Sequence, residues 1–205
     1  ESHVPQIFQR LVYQFYEYVR SFQANDGVLA QRLQVPEFQD YIVTYLRRFY
    51  FNQFAGAPFV DKTPGLEAIV GAPFLKQAFP GGKIIVMERE GIEVIESYRK
   101  KFNASFEEAL REWSSCAAEI SKLKRTMPEI LFLSQNELRA DPEMVARKLA
   151  THVGRPENAE GLALFFRTSR EDVLSDPSSW QRQMTLDEVQ WIEQEKELYI
   201  CSRGD

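Results

Sequence analysis

Apolar residues recur along the chain in two rhythms, a helical one over long stretches and a short continuous one over four or five residues. From Val4 to Phe22, the residues Ile7, Leu11, Phe15 and Phe22, with Tyr18 between, fall at helical spacing behind Pro5, a residue suited to a first turn. Pro36 to Phe54 predicts a second helix, with Tyr41, Tyr45, Leu46 and Phe49 on a broad apolar face. The pattern then changes. Pro58-Phe59-Val60 reads as a short strand, Leu66 to Phe79 as a helix, and Lys83 to Met87 (KIIVM) as a buried strand rich in β-branched residues. Pro80-Gly81-Gly82 separates that helix from that strand, as a turn should.

Gly91 ends the strand, and Ile92, Ile95, Tyr98 and Phe102 follow at spacings of three, three and four, which predicts a helix. Another long helix is expected from about Ser105 to Arg125, and Glu129 to Leu133 (EILFL) reads as a second short apolar strand. Asp141 opens a helix through Val153 with Pro142 in its first turn, and Thr185, with Glu188 three residues on, caps a last helix over Leu186 to Leu198. Short apolar strands alternating with amphipathic helices argue for an α/β fold with a mostly parallel sheet. No internal repeat or low-complexity segment occurs.

Composition narrows the class. At 205 residues, 44% hydrophobic and 27% charged, with 10 Gly and 10 Pro, the chain sits near globular averages, so disordered, collagen-like and disulfide-scaffold classes drop out and one domain is expected. The net charge is −5, so no global positive field draws nucleic acid or an anionic membrane, and any anion must be held by a local site. The most apolar stretch, Ala68 to Leu75, is interrupted by Gly71 and Pro73 and does not span a membrane. The opening ESHVPQIF has no basic segment leading into an apolar one, so no signal peptide is read there and a cytoplasmic location is expected. There is no initiating Met, so position 1 reads as the product of processing, truncation or a longer upstream chain. Cys116 and Cys201 are far apart, with no C-x-x-C pair, and two reduced thiols are the expectation.

In an open parallel sheet, ligands collect beyond the carboxyl ends of the strands. Two basic residues fall at such ends: Lys62, two residues after Val60 in a turn fixed by Pro64, and Arg89, two residues after Met87. Ser97 lies eight residues beyond Arg89, about two turns into the helix. A strand-end guanidinium and a hydroxyl on the following helix form a plausible grip on a dianionic phosphate, because Arg supplies forked donors and the helix start adds its dipole. The plainer readings stand beside it: a Lys in such a turn is usually solvated, and an Arg between Glu88 and Glu90 is most simply paired to a carboxylate. Arg47-Arg48 and Arg99-Lys100-Lys101 read equally as solvated helix faces or as contacts for an acidic partner.

The order of these pieces resembles the sulfotransferase family that uses 3′-phosphoadenosine 5′-phosphosulfate, most closely its protein-tyrosine branch. In that family a strand, a Lys-(Asp/Thr)-Pro turn, a helix ending in Phe-Pro and a Lys-rich strand start lead to an Arg, with a Ser eight residues later. This chain has DKTPG, then LKQAFPGGKIIVMERE, then Ser97. The likeness continues in EILFLSQNELRADPEMVARKLATHVGRP (Glu129 to Pro156) and in RTSREDVLSDPSSWQRQMTLDEVQWIEQ (Arg167 to Gln194), and spans roughly Phe59 to Leu198.

The resemblance implies a P-loop-type parallel sheet flanked by helices, helix-rich, in a single sulfotransferase-like domain over residues 1–205. It implies 3′-phosphoadenosine 5′-phosphosulfate as co-substrate, no metal, and a hydroxyl-bearing acceptor that is a small molecule or a protein tyrosine. Arg89 and Ser97 match the binders of the cofactor 3′-phosphate, and Lys62 matches the Lys that stabilises the sulfuryl group or bridging oxygen. Ser169 matches a serine of the late loop, and the opening ESHVPQIFQRL resembles the segment whose Glu is the general base, which makes Glu1 the base and His3 the substitute. His3 and His152 cannot build a zinc site with the distant cysteines.

One element of the family departs. The Gly- and Ser/Thr-rich loop that wraps the 5′-phosphosulfate in backbone N–H donors has no counterpart in these residues, and the resemblance places it upstream of Glu1, with the first strand. Two other classes therefore stay open: a non-catalytic binding or regulatory protein on the same fold, and a P-loop kinase-like phosphotransferase, the weaker of the two because no Walker A segment is present.

Overall fold

The computed structural model describes residues 4–22, 34–168 and 184–201. Its chain falls into two compact units, Glu1–Gly82 and Lys83–Asp205.

The first unit is helical. Helices α1 (Val4–Phe22) and α2 (Val35–Phe54) pack together, with the Phe15 ring stacked on Phe38 at 3.9 Å. Pro36 sits in the first turn of α2, where its missing N–H is harmless, and Ala55 ends the helix in the left-handed conformation. The buried face of α2 is Val43, Leu46 and Tyr50, spaced three and four apart, and it meets Phe74 and Ala78. Tyr41 and Tyr45, expected on that face with Leu46, are instead 75% and 61% exposed. They fall off the Val43-Leu46-Tyr50 stripe, and a phenol tolerates water at its polar end.

Two further expectations are corrected in this unit. Residues 57–64 form no strand, because Pro58 has no N–H for a ladder and Phe59 is held by rings instead: it stacks on Tyr50 at 4.7 Å and on Phe54 at 4.6 Å, with Phe79 edge-on at 5.8 Å. The single helix read over Leu66 to Phe79 is two, α3 (Leu66–Val70) and α4 (Ala72–Ala78), broken at Gly71. Pro73 accounts for the break, since its ring lacks a donor and excludes the carbonyl four residues back. The carboxyl end of α4 is closed by cations: Arg47 Nε donates to the Ala78 carbonyl at 2.8 Å, and Lys76 Nζ donates to the Pro80 carbonyl at 2.8 Å.

The second unit carries the sheet. Strands β1 (Ile85–Glu88) and β2 (Leu131–Ser134) pair in parallel, with Ile85 opposite Leu131 and Glu88 opposite Ser134. A parallel pair needs a crossover, and α5 (Gly91–Phe102) with α6 (Phe106–Thr126) supplies it. After β2 come α7 (Gln135–Ala140), α8 (Pro142–His152), a short 3₁₀ turn, α9 (Ala159–Thr168) and, after the undescribed stretch, α10 (Leu186–Cys201). The starts follow the cap residues seen in the sequence. Asp141 accepts from the Met144 N–H at 2.8 Å, and Thr185 and Glu188 form a reciprocal capping box, as do Ser105 and Glu108.

The core of this unit is Ile95, Phe106, Ala109, Trp113 and Ile192, so α5, α6 and α10 pack as one layer. The expected burial of KIIVM is corrected: β1 alternates, with Ile85 38% and Met87 50% exposed. Parallel pairing through a helical crossover in a helix-rich chain agrees with the α/β class. No helix among the described residues is long and apolar enough to cross a membrane.

A candidate anion-binding site

The register places the carboxyl ends of both strands level with one another. β1 ends at Glu88 and α5 opens at Gly91, so Arg89 and Glu90 are the whole connection, while β2 passes from Ser134 directly into α7. Two polar strand-to-helix corners therefore lie side by side, the position at which parallel sheets gather ligands.

A buried carboxylate ties the two corners. Glu93, in the first turn of α5, has a side chain only 2% exposed. Its Oε1 accepts from Arg139 Nη1 at 2.6 Å, and Arg89 Nη2 stands 3.4 Å from its Oε2. Arg139 comes from α7, behind β2, and Arg89 follows β1. Two guanidiniums thus share one buried carboxylate at this corner. Around them, Asn136 Nδ2 donates to Glu90 Oε1 at 3.0 Å, Lys196 Nζ reaches Glu90 Oε2 at 3.1 Å, and Lys124 Nζ reaches Glu88 Oε1 at 2.6 Å. Glu88 and Glu90, the carboxylates adjacent to Arg89 in sequence, are held by other cations.

Ser97 lies four residues after Glu93 on the same face of α5, half-buried, one turn further along the helix. Ser97 thus stands on the α5 face that carries Glu93, the carboxylate Arg89 reaches from the end of β1. Lys62 belongs to the first unit, where it is exposed within the irregular segment 57–64, and the strand end expected for it does not exist. Beside it Asp61 accepts from the Tyr50 hydroxyl and, at 3.3 Å, from Thr63 Oγ1, which anchors the segment to α2. Glu1, His3 and Ser169 lie outside the described residues.

Glu93, Arg139 and Asn136 were not singled out from the sequence. The Arg89–Glu93 spacing of four was visible, but Arg139 reaches the site only through the pairing of β2 with β1.

Other titratable groups are occupied structurally. Glu137 is held below its ordinary range by its bond from Lys148 at 3.0 Å and by the Ser134 N–H it accepts at the start of α7. Cys116 is a half-buried free thiol pushed up to about 11 by burial and then by Glu112, which keeps it protonated at neutral pH. His152 Nε2 meets the Ile84 carbonyl at 3.1 Å, at the entry to β1 and away from the strand ends. Arg99 pairs with Glu96 and Glu188, tying α5 to α10.

Residues 5–159 match the model of the sulfotransferase family. The chain belongs to that family. The sulfotransferase match takes in Lys62, Arg89, Glu93, Ser97 and Arg139, while Glu1, His3 and Ser169 fall outside it. No curated protein and no solved structure matches the chain.

Proposed function

We propose that this sulfotransferase moves a sulfuryl group from 3′-phosphoadenosine 5′-phosphosulfate to a hydroxyl acceptor, a small molecule or a protein tyrosine. The observation that carries the reading is the corner after β1, where Arg89, whose side chain is 35% exposed, shares the buried Glu93 with Arg139, and Ser97 lies one turn beyond Glu93 on α5. A partly exposed guanidinium, a hydroxyl one turn beyond its carboxylate partner and the start of a 12-residue helix fit a phosphate dianion. We read β1 and β2 as strands of the family's phosphate-binding sheet, with Arg89 and Ser97 taking the 3′-phosphate.

The remaining roles come from the resemblance. Sulfuryl transfer, like phosphoryl transfer, is an in-line displacement through a loose transition state, so positioning and charge stabilisation supply most of the rate. Lys62 stabilises the negative charge that grows at the leaving phosphate, as an ammonium suits. Glu1 takes the proton of the acceptor hydroxyl, with His3 as its substitute, and Ser169 assists at the transferred group. No step calls for a metal.

The test is transfer of labelled sulfate from the nucleotide donor by the full chain to a panel of simple phenols and tyrosine-containing peptides. Labelled sulfate ester on at least one acceptor, lost in Lys62→Ala, is the expected result. A parent chain that neither labels an acceptor nor binds the product nucleotide would leave the non-catalytic reading as the better one.

A further inference from the structure

Of the two guanidiniums on Glu93, one grips it and the other only reaches it. Arg139 Nη1 lies 2.6 Å from the carboxylate and its side chain is 14% exposed, whereas Arg89 Nη2 stands at 3.4 Å, the outer edge of hydrogen-bonding distance. Arg139 is further fixed by its own helix: Nη1 also donates to Asn136 Oδ1 at 3.0 Å, and Asn136 is bonded in turn to Glu90. A carboxylate this buried needs a cation, because an ion without water or a partner is strongly unfavourable. Arg139 supplies that cation from behind β2, so Arg89 is not required for it.

We infer that Arg139 is a positioning residue for anion binding: by neutralising Glu93 it leaves the charge of Arg89 available to a phosphate dianion. The inference rests on the reading of Arg89 as the phosphate contact. With Arg139 in place, Arg89 turns toward an incoming phosphate and Glu93 keeps a partner. Without it, Arg89 is the nearest cation to a buried carboxylate, and binding an anion through Arg89 would leave that carboxylate unpaired. Arg139 therefore acts on the ligand through Glu93 and Arg89, with no contact of its own required.

The test is calorimetric titration of the full chain with adenosine 3′,5′-bisphosphate. Arg139→Gln should weaken binding by at least about tenfold, since Glu93 then captures Arg89. Arg139→Lys, which keeps the charge, and the double variant Glu93→Gln/Arg139→Gln, which removes the competing carboxylate, should both bind within about threefold of the parent. Recovery in the double variant, when thermal melting shows Arg139→Gln itself to be fully folded at the titration temperature, is the signature that a merely structural role for Arg139 would not produce. Glu93→Gln alone should also bind within about threefold, which keeps the inference open to refutation if Arg139→Gln does not fold. Equal loss in the Arg139→Gln single and double variants, parent-like binding by Arg139→Gln, or a tenfold loss in Glu93→Gln overturns the inference. An Arg89→Ala variant that binds like the parent, or a parent that does not bind, overturns instead the reading of Arg89 on which the inference stands, and the inference with it.

Discussion

Gly91 approaches Trp113 so closely that a Cβ built on the glycine would stand 2.7 Å from Cζ2 of the indole. The same Cβ would meet Ile192 Cγ2 at 2.9 Å, and both neighbours belong to the buried core of α5, α6 and α10. Neither can withdraw cheaply. Gly91→Ala should therefore destabilise the protein by about 1–3 kcal/mol through overpacking, against a gain of less than about 1 kcal/mol in helix propensity. Thermal unfolding checks this, with a melting temperature lowered by roughly several degrees expected; an unchanged or raised value would show that α5 shifts to admit the methyl group. Because Arg89 and Glu90 are the whole link from β1 to Gly91, the same variant should also weaken anion binding.

Lys62 offers a kinetic prediction. If its ammonium stabilises charge that develops during transfer, Lys62→Ala should lower kcat by about a hundredfold or more and leave the affinity for adenosine 3′,5′-bisphosphate within a few-fold. Steady-state kinetics together with calorimetry separate the two effects. A variant that loses the nucleotide but keeps its turnover at saturation would place Lys62 in ground-state binding alone.

Much of this architecture could be read from the chain, and the misses have physical causes. The helix starts at Pro142 and Leu186 were legible because Asp141, Thr185 and Glu188 satisfy orphan N–H groups locally, within four residues. Pro58-Phe59-Val60 was not: its apolar run looks like a strand, yet Phe59 is fixed by Tyr50 and Phe54, contacts made with a preceding helix that no local pattern reveals. From Ile84 to Met87 every residue is apolar, so the alternation that exposes Ile85 and Met87 leaves no trace in the sequence. The placement of Arg89 just after β1 and of Ser97 on α5 was legible because that strand and that helix were. Arg139 looks like an ordinary helical arginine until Ser134 is set opposite Glu88.

The choice of base can be settled by substitution. Glu1→Gln should abolish most sulfuryl transfer, while His3→Ala should retain at least about a tenth of it, given the usual size of general-base effects. Initial rates of labelled-sulfate transfer decide between them. A dead His3→Ala beside an active Glu1→Gln would make a small-molecule sulfotransferase with an imidazole base the better account.

Glu137 gives a pH prediction. Its carboxyl is held below the ordinary range, so its bonds to Lys148 and to the Ser134 N–H stabilise the folded state above the unfolded-state value. That contribution is lost as the pH falls through the lowered folded-state value. Both partners are well exposed, with side chains 43% and 40% accessible, so solvent screening keeps the effect below about 1 kcal/mol. Glu137→Gln should melt slightly below the parent at pH 7, and the difference should vanish in strong acid. A difference that persists unchanged in acid would mean that the ionised carboxylate is not what stabilises α7.

On the proposed function, the corner after β1 recognises the additional phosphate of the donor nucleotide. Calorimetric titration of the full chain with adenosine 3′,5′-bisphosphate and, separately, with adenosine 5′-phosphate compares ligands that differ only in that group. If Arg89 and Ser97 are dedicated to it, the bisphosphate should bind at least about tenfold more tightly, as charge-assisted bonds from a guanidinium to a dianion imply. Equal affinities for the two nucleotides would contradict the assignment.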